Sequence, residues 1–220
     1  MEQATTWRPR AVLFDFDGTL GDSYAAITAS VNHVRARHGL APLTVDEVRP
    51  HVGRGPVSLL NATVGRGDVE ANLRAYRAHH PSVLRGGTRL MPGAFETLQA
   101  LRRHGLRLAV CSNKPVIFTR ELLAYLEVAP LFDVVLGPED VPRPKPAPDM
   151  LLAALPRLGV SAAEALYVGD MVVDVETARA AGVAVWVVPT GSDELETLAQ
   201  ARPDRLLRNL HELAGLKPSS

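Results

Sequence analysis

Five short apolar runs, each bounded by turn residues, constrain most strongly how this chain can fold. They lie at Ala11–Asp15, Arg107–Cys111, Phe132–Leu136, Ala165–Val168 and Val183–Val188. Near-continuous apolar runs of this length are typical of strands that are covered on both faces, as in a parallel sheet. Helical patterns separate the later runs, and two of them follow Pro92 and Pro115. This alternation of strands and helices predicts an α/β fold.

One interval between the predicted strands is too long for a single crossover. About ninety residues separate Asp15 from Arg107, whereas a β-α-β unit needs roughly thirty. The excess contains four helical patterns, at Ile27–Val34, Thr44–Glu47 (a capping box), Pro56–Val64 and Val69–Tyr76. We therefore predict a doubly wound, Rossmann-like parallel sheet in residues 1–20 and 87–220, with an inserted helical cap domain in residues 21–86. Because ligands bind beyond the carboxyl ends of such strands, the cap would cover the site.

The composition excludes several classes of protein. The 220 residues carry 24 basic and 24 acidic side chains and no formal net charge, which argues against a nucleic-acid-binding protein with a basic face. The sequence contains no apolar stretch long enough to span a membrane, and Met1–Arg10 lacks the apolar core of a signal peptide. Cys111 is the single cysteine and lies in an apolar run, so we expect a buried thiol in a cytoplasmic protein. The oligomeric state is not indicated.

Two of the predicted strands end in pairs of acidic residues. Asp15 and Asp17 follow the first strand, and Asp170 follows the fourth, with Asp174 four residues further on. Each pair has an ordinary structural explanation, since Asp-Gly is a common turn and an aspartate often caps a helix. Two like charges at the end of a buried strand, however, repel each other unless a cation compensates them. Adjacent parallel strands would join both pairs in an oxygen-rich site that suits Mg²⁺.

Two further segments carry groups suited to an anion. Ser112 and Asn113 follow the second strand at the start of a helix, where their hydroxyl and amide would bind an anion or simply cap the helix. Lys145 lies between two prolines, which restrict the backbone and preset the direction of the side chain. Lysine occurs three times in a chain rich in arginine. We therefore favour a functional role for Lys145 over a solvated surface position.

The order of these motifs resembles that of the haloacid dehalogenase superfamily. The four motifs are Asp-x-Asp-Gly-Thr-Leu from Asp15, Ser-Asn at Ser112, Lys-Pro-x-Pro at Lys145 and Gly-Asp-x-x-x-Asp ending at Asp174. The resemblance covers about residues 10–215 and is closest to the phosphatases with a helical cap after the first motif, such as the phosphoglycolate phosphatases. The cap segment Arg49–Gly55, followed by two leucines, looks like the cap loop of that group.

The resemblance implies a Mg²⁺-dependent phosphoric monoester hydrolase that acts on a small phosphorylated metabolite, with 2-phosphoglycolate as the expected substrate. Asp15 would be the nucleophile and would form an aspartyl-phosphate. Asp17 would protonate the leaving group and later activate water. Mg²⁺ would be bound by Asp15, Asp170 and the backbone carbonyl of Asp17. Asp174 would anchor the metal shell through water or orient Lys145.

The same resemblance assigns the substrate-binding groups. Ser112 and Lys145 would hold the phosphoryl oxygens. Asn113 would help to position the substrate, and Gly18 would let the chain turn tightly around the phosphate. Arg54, in the cap loop, would bind a carboxylate of the substrate.

Other activities differ from this assignment at identifiable residues. Dehalogenases of the superfamily lack the second acidic residue of the first motif, which is present here as Asp17. Phosphonatases need a lysine in the cap, and residues 21–86 contain none. A β-phosphoglucomutase-like phosphotransferase or a pyrophosphatase of the same superfamily stays open as an alternative. A catalytically silent binding protein is a more distant one.

Two adjacent histidines occur in the insertion. His79 and His80 directly precede Pro81, which disfavours continuation of a helix. We interpret both as solvated residues at a helix end, without a role in catalysis.

Overall fold

The computed structural model of the chain describes residues 8–218. Within this range the strands are β1 (Ala11–Phe14), β2 (Gly21–Asp22), β3 (Arg89–Leu90), β4 (Arg107–Cys111), β5 (Val134–Leu136), β6 (Ala165–Gly169), β7 (Ala184–Val187) and β8 (Arg205–Leu206). The helices are α1 (Tyr24–Arg37), α2 (Val45–Val48), α3 (Pro56–Thr63), α4 (Val69–Leu84), α5 (Ala94–Arg103), α6 (Val116–Tyr125), α7 (Asp149–Leu158), α8 (Val172–Ala181) and α9 (Leu195–Gln200). None of these helices is long and apolar enough to cross a membrane. The prediction that Met1–Arg10 carries no export signal rests mostly on residues outside the described range.

Six of the strands form one parallel sheet in the order β5-β4-β1-β6-β7-β8. The central strand, β1, pairs with β4 on one side and with β6 on the other. All four residues of β1 are buried, which explains why the run is apolar without alternation. The strand order moves away from β1 in both directions, so the predicted doubly wound, Rossmann-like fold is confirmed.

Helices cover both faces of this sheet. Val12 and Phe14 of β1 pack in one apolar cluster with residues of α5 and α6. Ala11 and Leu13 point to the other face and pack with residues of α7 and α8. Successive side chains of a strand alternate between the two faces, so a fully buried strand needs an apolar layer on each side. Cys111 at the end of β4 is buried in the second cluster, as expected.

The long interval between β1 and β4 contains the predicted helices, α1 to α4. They share an apolar cluster of their own, which includes Ile27, Val31, Leu60 and Leu73. The capping box at Thr44 is confirmed, since its hydroxyl accepts a hydrogen bond from the Glu47 amide and the Glu47 carboxylate accepts one from the Thr44 amide. The short antiparallel pair of β2 and β3 joins the two ends of the insertion. The separate cluster supports the division into a core domain and a cap domain at residues 21–86, which stays a prediction.

The interpretation of His80 as a solvated residue is wrong. Helix α4 does not end near Pro81 but continues through it to Leu84. His80 is 1% exposed, and Leu84 is fully buried. The packing of these side chains outweighs the hydrogen bond that a proline removes from a helix.

A matched pair of substitutions in α5 tests the orientation of the helices on the sheet. Leu98 is fully buried, whereas Phe95 is 39% exposed. We expect Leu98→Ala to lower the free energy of unfolding by about 2–5 kcal/mol because it leaves a cavity. Phe95→Ala should lower it by about 1 kcal/mol, since less apolar surface is lost from the interior. Urea denaturation measures both values, and equal losses would contradict the observed orientation.

Candidate active site

Three of the four acidic residues predicted from the sequence, Asp15, Asp170 and Asp174, meet at the carboxyl ends of β1 and β6. The two strands are neighbours in the sheet, and the Asp15 amide donates a hydrogen bond of 2.9 Å to the Val168 carbonyl. Carboxylate oxygens of Asp15, Asp170 and Asp174 lie within 4.8 Å of one another, and all three residues are buried. The parallel register therefore brings together residues that are 155 or more positions apart in the sequence.

Asp15 lies at the centre of this group. Its Oδ2 lies 3.0 Å from Lys145 Nζ, whereas its Oδ1 is buried and has no hydrogen-bond partner within residues 8–218. Burial raises the pKa of Asp15 to about 6, and the positive charge of Lys145 offsets part of this effect. A buried oxygen without a partner is costly in a folded protein, and such atoms point to a bound ligand, ion or water.

Lys145 is fully buried between acidic and hydroxyl groups. Its Nζ lies 2.7 Å from Asp174 Oδ1 and 3.0 Å from the hydroxyl of Tyr167. Burial disfavours the charged amine, but the carboxylates of Asp15 and Asp174 outweigh it and raise the pKa of Lys145 above its usual range. The lysine is therefore a permanent positive charge beside the candidate nucleophile.

Asp174 holds this lysine in place. Its Oδ2 accepts hydrogen bonds from the backbone amides of Asp170 and Met171, at 3.1 and 3.0 Å. Its Oδ1 faces Lys145 and the Tyr167 hydroxyl, and that hydroxyl donates a bond of 2.8 Å to the Cys111 carbonyl. The sequence analysis assigned no role to Tyr167, although a tyrosine inside an apolar strand needs a partner for its hydroxyl. Of the two roles predicted for Asp174, these contacts favour the orientation of Lys145.

Asp170 is also fully buried. Thr19 Oγ1 donates a hydrogen bond of 2.6 Å to its Oδ1, and the Ser192 amide donates one of 3.2 Å to its Oδ2. Burial, followed by the charges of Asp174 and Asp15, raises the pKa of Asp170 well above its usual range. A bound divalent cation would relieve this repulsion, and a donor set made of oxygens suits a hard cation such as Mg²⁺. The residues present therefore fit a metal site.

The backbone at Gly18 approaches this acidic group closely. Its φ is +85°, and a Cβ atom at this position would lie 2.5 Å from Asp170 Oδ2 and 2.6 Å from the Tyr24 hydroxyl. A residue with a side chain would therefore displace the carboxylate. The predicted role of Gly18 around a phosphate stays a prediction.

Ser112 and Asn113 extend the site from the end of β4. Ser112 is buried beside Asp15, and its hydrogen bond lowers the pKa of that carboxyl, although burial has the larger, opposite effect. The Asn113 side chain accepts a bond of 3.0 Å from the Lys145 amide and donates to the carbonyls of Lys145 and Gly53, at 3.1 and 3.0 Å. Asn113 thus connects the segment that carries Lys145 with the loop before α3.

That loop packs directly on the acidic end of the sheet. Gly53 has a φ of +114°, and a Cβ atom there would overlap the sulfur of Met171, which follows Asp170. The guanidinium of Arg49 stacks on the ring of Tyr24, 3.9 Å from its centroid, and the Tyr24 hydroxyl lies 3.1 Å from Ser192 Oγ. These contacts hold the helical insertion closed over the site.

Asp17 faces a second lysine. Lys114 Nζ lies 3.0 and 3.2 Å from the two carboxylate oxygens of Asp17, and the Ser23 hydroxyl also donates to this carboxylate. Lys114 is 6% exposed. The scarcity of lysine in this chain marks Lys114 as unusual, but its pairing with Asp17 was not predicted.

A small cavity of about 40 Å³ lies between the insertion and the sheet. Its polar lining comes from the residues Asp15, Asp17, Ser112, Asn113, Lys114 and His80, and its apolar lining from the residues Ile27, Val52, Leu59, Tyr76 and Phe118. Arg54 is exposed and is not among the lining residues. Lys114 is the lysine or arginine among the residues that line this cavity. The role expected for Arg54 stays a prediction.

Substitutions of Asp170 and Asp174 should differ in their effects on the stability of the protein. We expect Asp174→Asn to lower the free energy of unfolding by about 3 kcal/mol, because it weakens the pairing of the buried Lys145 charge. Asp170→Asn should leave the metal-free protein equally stable or make it more stable, because it removes a carboxylate that repels its neighbours. Urea denaturation in EDTA measures both. A large loss in the Asp170 variant would contradict this view of the site.

The raised pKa of Asp15 predicts a pH-dependent stability for the metal-free protein. The pKa is about 6 in the folded chain against 3.8 for the unperturbed group. The folded protein therefore binds a proton more tightly than the unfolded one. The resulting contribution to the free energy of unfolding is fully present below about pH 4 and is lost as the pH rises through about 6. Wild-type protein should thus lose stability relative to Asp15→Asn over this interval. Thermal denaturation at several pH values in EDTA checks this, and a constant difference would contradict it.

Comparison with known proteins places the chain in a family. A sequence profile described as haloacid dehalogenase-like hydrolase matches residues 12–188. Phosphoglycolate phosphatase of Rhodospirillum rubrum is 41% identical over 195 residues, which cover 83% of this chain and 80% of the relative. Phosphoglycolate phosphatase 1 of Pseudomonas aeruginosa is 33% identical over 218 residues, which cover 93% and 78%. The crystal structure of a predicted phosphoglycolate phosphatase from Haemophilus somnus has a TM-score of 0.88 and 26% identity, and the match covers 93% of this chain and 96% of that one. The resemblance found in the four motifs is confirmed, and the chain belongs to the haloacid dehalogenase-like hydrolases.

Proposed function

We propose that this protein is a Mg²⁺-dependent phosphatase that hydrolyses a small phosphate monoester through a phosphorylated Asp15. The observation that carries the proposal is the buried Asp15 carboxylate, whose Oδ1 has no partner in the described part of the chain. It lines a cavity together with Asp17 and Ser112, and it lies beside the buried cation of Lys145. Membership of the hydrolase family and the phosphoglycolate phosphatases among the relatives support it.

In the first half of the reaction, a carboxylate oxygen of Asp15 forms a bond to the phosphorus of the ester. The bond between phosphorus and the ester oxygen breaks, and Asp17 gives a proton to the departing alkoxide. Lys145 and the Ser112 hydroxyl hold the phosphoryl oxygens and stabilise their charge during the transfer. The products of this step are the alcohol and an aspartyl-phosphate.

In the second half, water hydrolyses the aspartyl-phosphate. Asp17 takes a proton from the water as its oxygen bonds to phosphorus, and the bond between phosphorus and the Asp15 oxygen breaks. This step regenerates both carboxyl groups and releases inorganic phosphate. Lys114 and Ser23 contact Asp17 and hold it at the cavity for both proton transfers.

The metal would be held by Asp15, Asp170 and the backbone carbonyl of Asp17, with Asp174 supporting the site through Lys145. When bound, Mg²⁺ neutralises the repulsion between the phosphate and the carboxylates. The raised pKa values of Asp15 and Asp170, which follow from burial and mutual repulsion, support a cation at this position.

The preferred substrate in this proposal is 2-phosphoglycolate. A cavity of about 40 Å³ favours a leaving group of a few non-hydrogen atoms. Lys114 lines that cavity and supplies a positive charge for a carboxylate of the substrate. The names of the relatives from Rhodospirillum rubrum and Pseudomonas aeruginosa support the same substrate. The proposal includes the cytoplasmic localisation expected from the sequence.

Measurement of phosphate release tests the substrate and the nucleophile together. We expect hydrolysis of 2-phosphoglycolate to exceed that of pyrophosphate, glucose 1-phosphate and AMP, and to stop in EDTA. Asp15→Asn should lower the rate at least about a thousandfold, because no other group replaces the nucleophile. Circular dichroism of the variant checks that it folds.

Each alternative function predicts a different result in this assay. Isomerisation of β-glucose 1-phosphate without phosphate release would favour a mutase. A preference for pyrophosphate would favour a pyrophosphatase. No reaction with any substrate would contradict the proposal and favour a binding protein. Full activity of Asp15→Asn would exclude the proposed nucleophile.

Thermal denaturation tests the metal site independently of catalysis. Mg²⁺ at a hundred times its dissociation constant should stabilise wild-type protein by about 2.7 kcal/mol, because it binds the folded state. This stabilisation by Mg²⁺ should be absent or much smaller in Asp170→Asn. The matched control is Asp133→Asn, a carboxylate that pairs with Arg102 and Arg107 away from the site. Equal shifts in wild type and Asp170→Asn would contradict a metal at this position.

A further inference from the structure

His80 is a buried group at the site that the proposed mechanism does not use. It lies on α4 and is 1% exposed. Its ring stacks on Tyr76, with centroids 5.0 Å apart, and meets the edge of Phe118 at 4.9 Å. Nδ1 lies 2.9 Å from Ser30 Oγ on α1. Contacts within α4 and with the neighbouring helices α1 and α6 thus fix the orientation of the imidazole.

The other nitrogen of this ring has no hydrogen-bond partner within residues 8–218. Nε2 is buried and makes no hydrogen bond to any described residue, and His80 lines the same cavity as Asp15, Asp17 and Lys114. Burial, followed by the nearby charge of Lys114, lowers the pKa of His80 to about 3, so the ring is neutral at physiological pH. A polar atom that is buried without a partner destabilises a protein, and its presence in the cavity points to a ligand group that binds it.

From this geometry we infer that His80 Nε2 binds the leaving-group end of the substrate and selects esters whose short leaving group carries a carboxylate. The inference rests on the proposed phosphatase function and names a further specificity-determining residue for it. Lys114 supplies the positive charge from the segment between β4 and α6, and His80 supplies a directed hydrogen bond from α4. An ester with an apolar leaving group would leave Nε2 without a partner. The loss of this hydrogen bond would discriminate strongly against such esters.

Two substrates and two variants test the inference. 2-Phosphoglycolate and ethyl phosphate share a two-carbon leaving group and differ in the terminal carboxylate. The measured quantity is the ratio of their kcat/KM values. His80→Phe keeps a flat ring between Tyr76 and Phe118 but removes both nitrogens. His79→Phe is the matched control, because His79 contacts Ser30 but does not line the cavity.

We expect His80→Phe to lower the ratio at least tenfold, mainly through a higher KM for 2-phosphoglycolate, while it stays as resistant to heat as wild type. The His79→Phe ratio should stay within about twofold of wild type, since a group outside the cavity makes no direct contact with substrate. An unchanged ratio in a folded His80→Phe protein would overturn the inference and leave the phosphatase proposal intact. Failure of wild-type protein to hydrolyse either ester would instead overturn the proposed function, and the inference with it.

A measurement on wild-type protein covers the case in which His80→Phe does not fold. 3-Phosphonopropionate and propylphosphonate are stable analogues of the two substrates. The imidazole nitrogen resonances are followed by NMR, and His80 is identified as a ring that stays neutral between pH 5 and 8. We expect the first analogue to shift the Nε2 resonance and the second to leave it in place. Equal responses to both analogues, or none to the first while it binds, would overturn the inference.

Discussion

The contact between buried Lys145 and the carboxylates of Asp15 and Asp174 is the interaction on which the site depends. Asp15 follows β1, Lys145 lies in the segment between β5 and α7, and Asp174 lies in the first turn of α8. Each of the three would be destabilising alone in the interior. Together with the Tyr167 hydroxyl they form a network in which the lysine stays charged. Asp174 also binds two backbone amides at the end of β6, so the network connects the side chains to the sheet itself. The result is a rigid cation beside a carboxylate, one oxygen of which has no partner in the described part of the chain.

This rigid centre is complemented by a cap that fixes the size of the site. Asn113 forms hydrogen bonds both to the Lys145 segment and to Gly53 in the loop before α3. The same side chain therefore positions the lysine and holds the helical insertion against the sheet. The cavity left between them is small, and its two walls differ: acidic and basic groups lie on the sheet side, and apolar side chains with His80 lie on the cap side. In the proposed function, the reacting groups lie on the sheet side, and the leaving group is selected from both sides, by Lys114 and His80.

Much of this arrangement could be predicted from the sequence because the sheet is covered on both faces. Complete burial produces unbroken apolar runs, and these locate β1, β4 and β6 and therefore the acidic residues that follow them. The helical insertion followed from the length of the interval and from the helical patterns within it. The course of α4 within the insertion could not be predicted. This helix continues through Pro81 because tertiary packing stabilises it there, and His80 is buried as a result. The contacts that Lys114 and Tyr167 make in the site were not predicted either, since no sequence pattern indicates which side chains meet across strands. Arg54, which was expected at the site, lies exposed.

Chemical trapping of the phosphorylated residue is the measurement that tests the central claim most directly. Protein turning over 2-phosphoglycolate with Mg²⁺ is quenched in acid and reduced with borohydride, which converts an aspartyl-phosphate into homoserine. Peptide mass spectrometry then locates the modified residue. The account predicts homoserine at position 15 in wild-type protein, dependent on substrate, and an unmodified peptide in Asp15→Asn. Phosphate release without modification of Asp15, or with the modification at another aspartate, would contradict it.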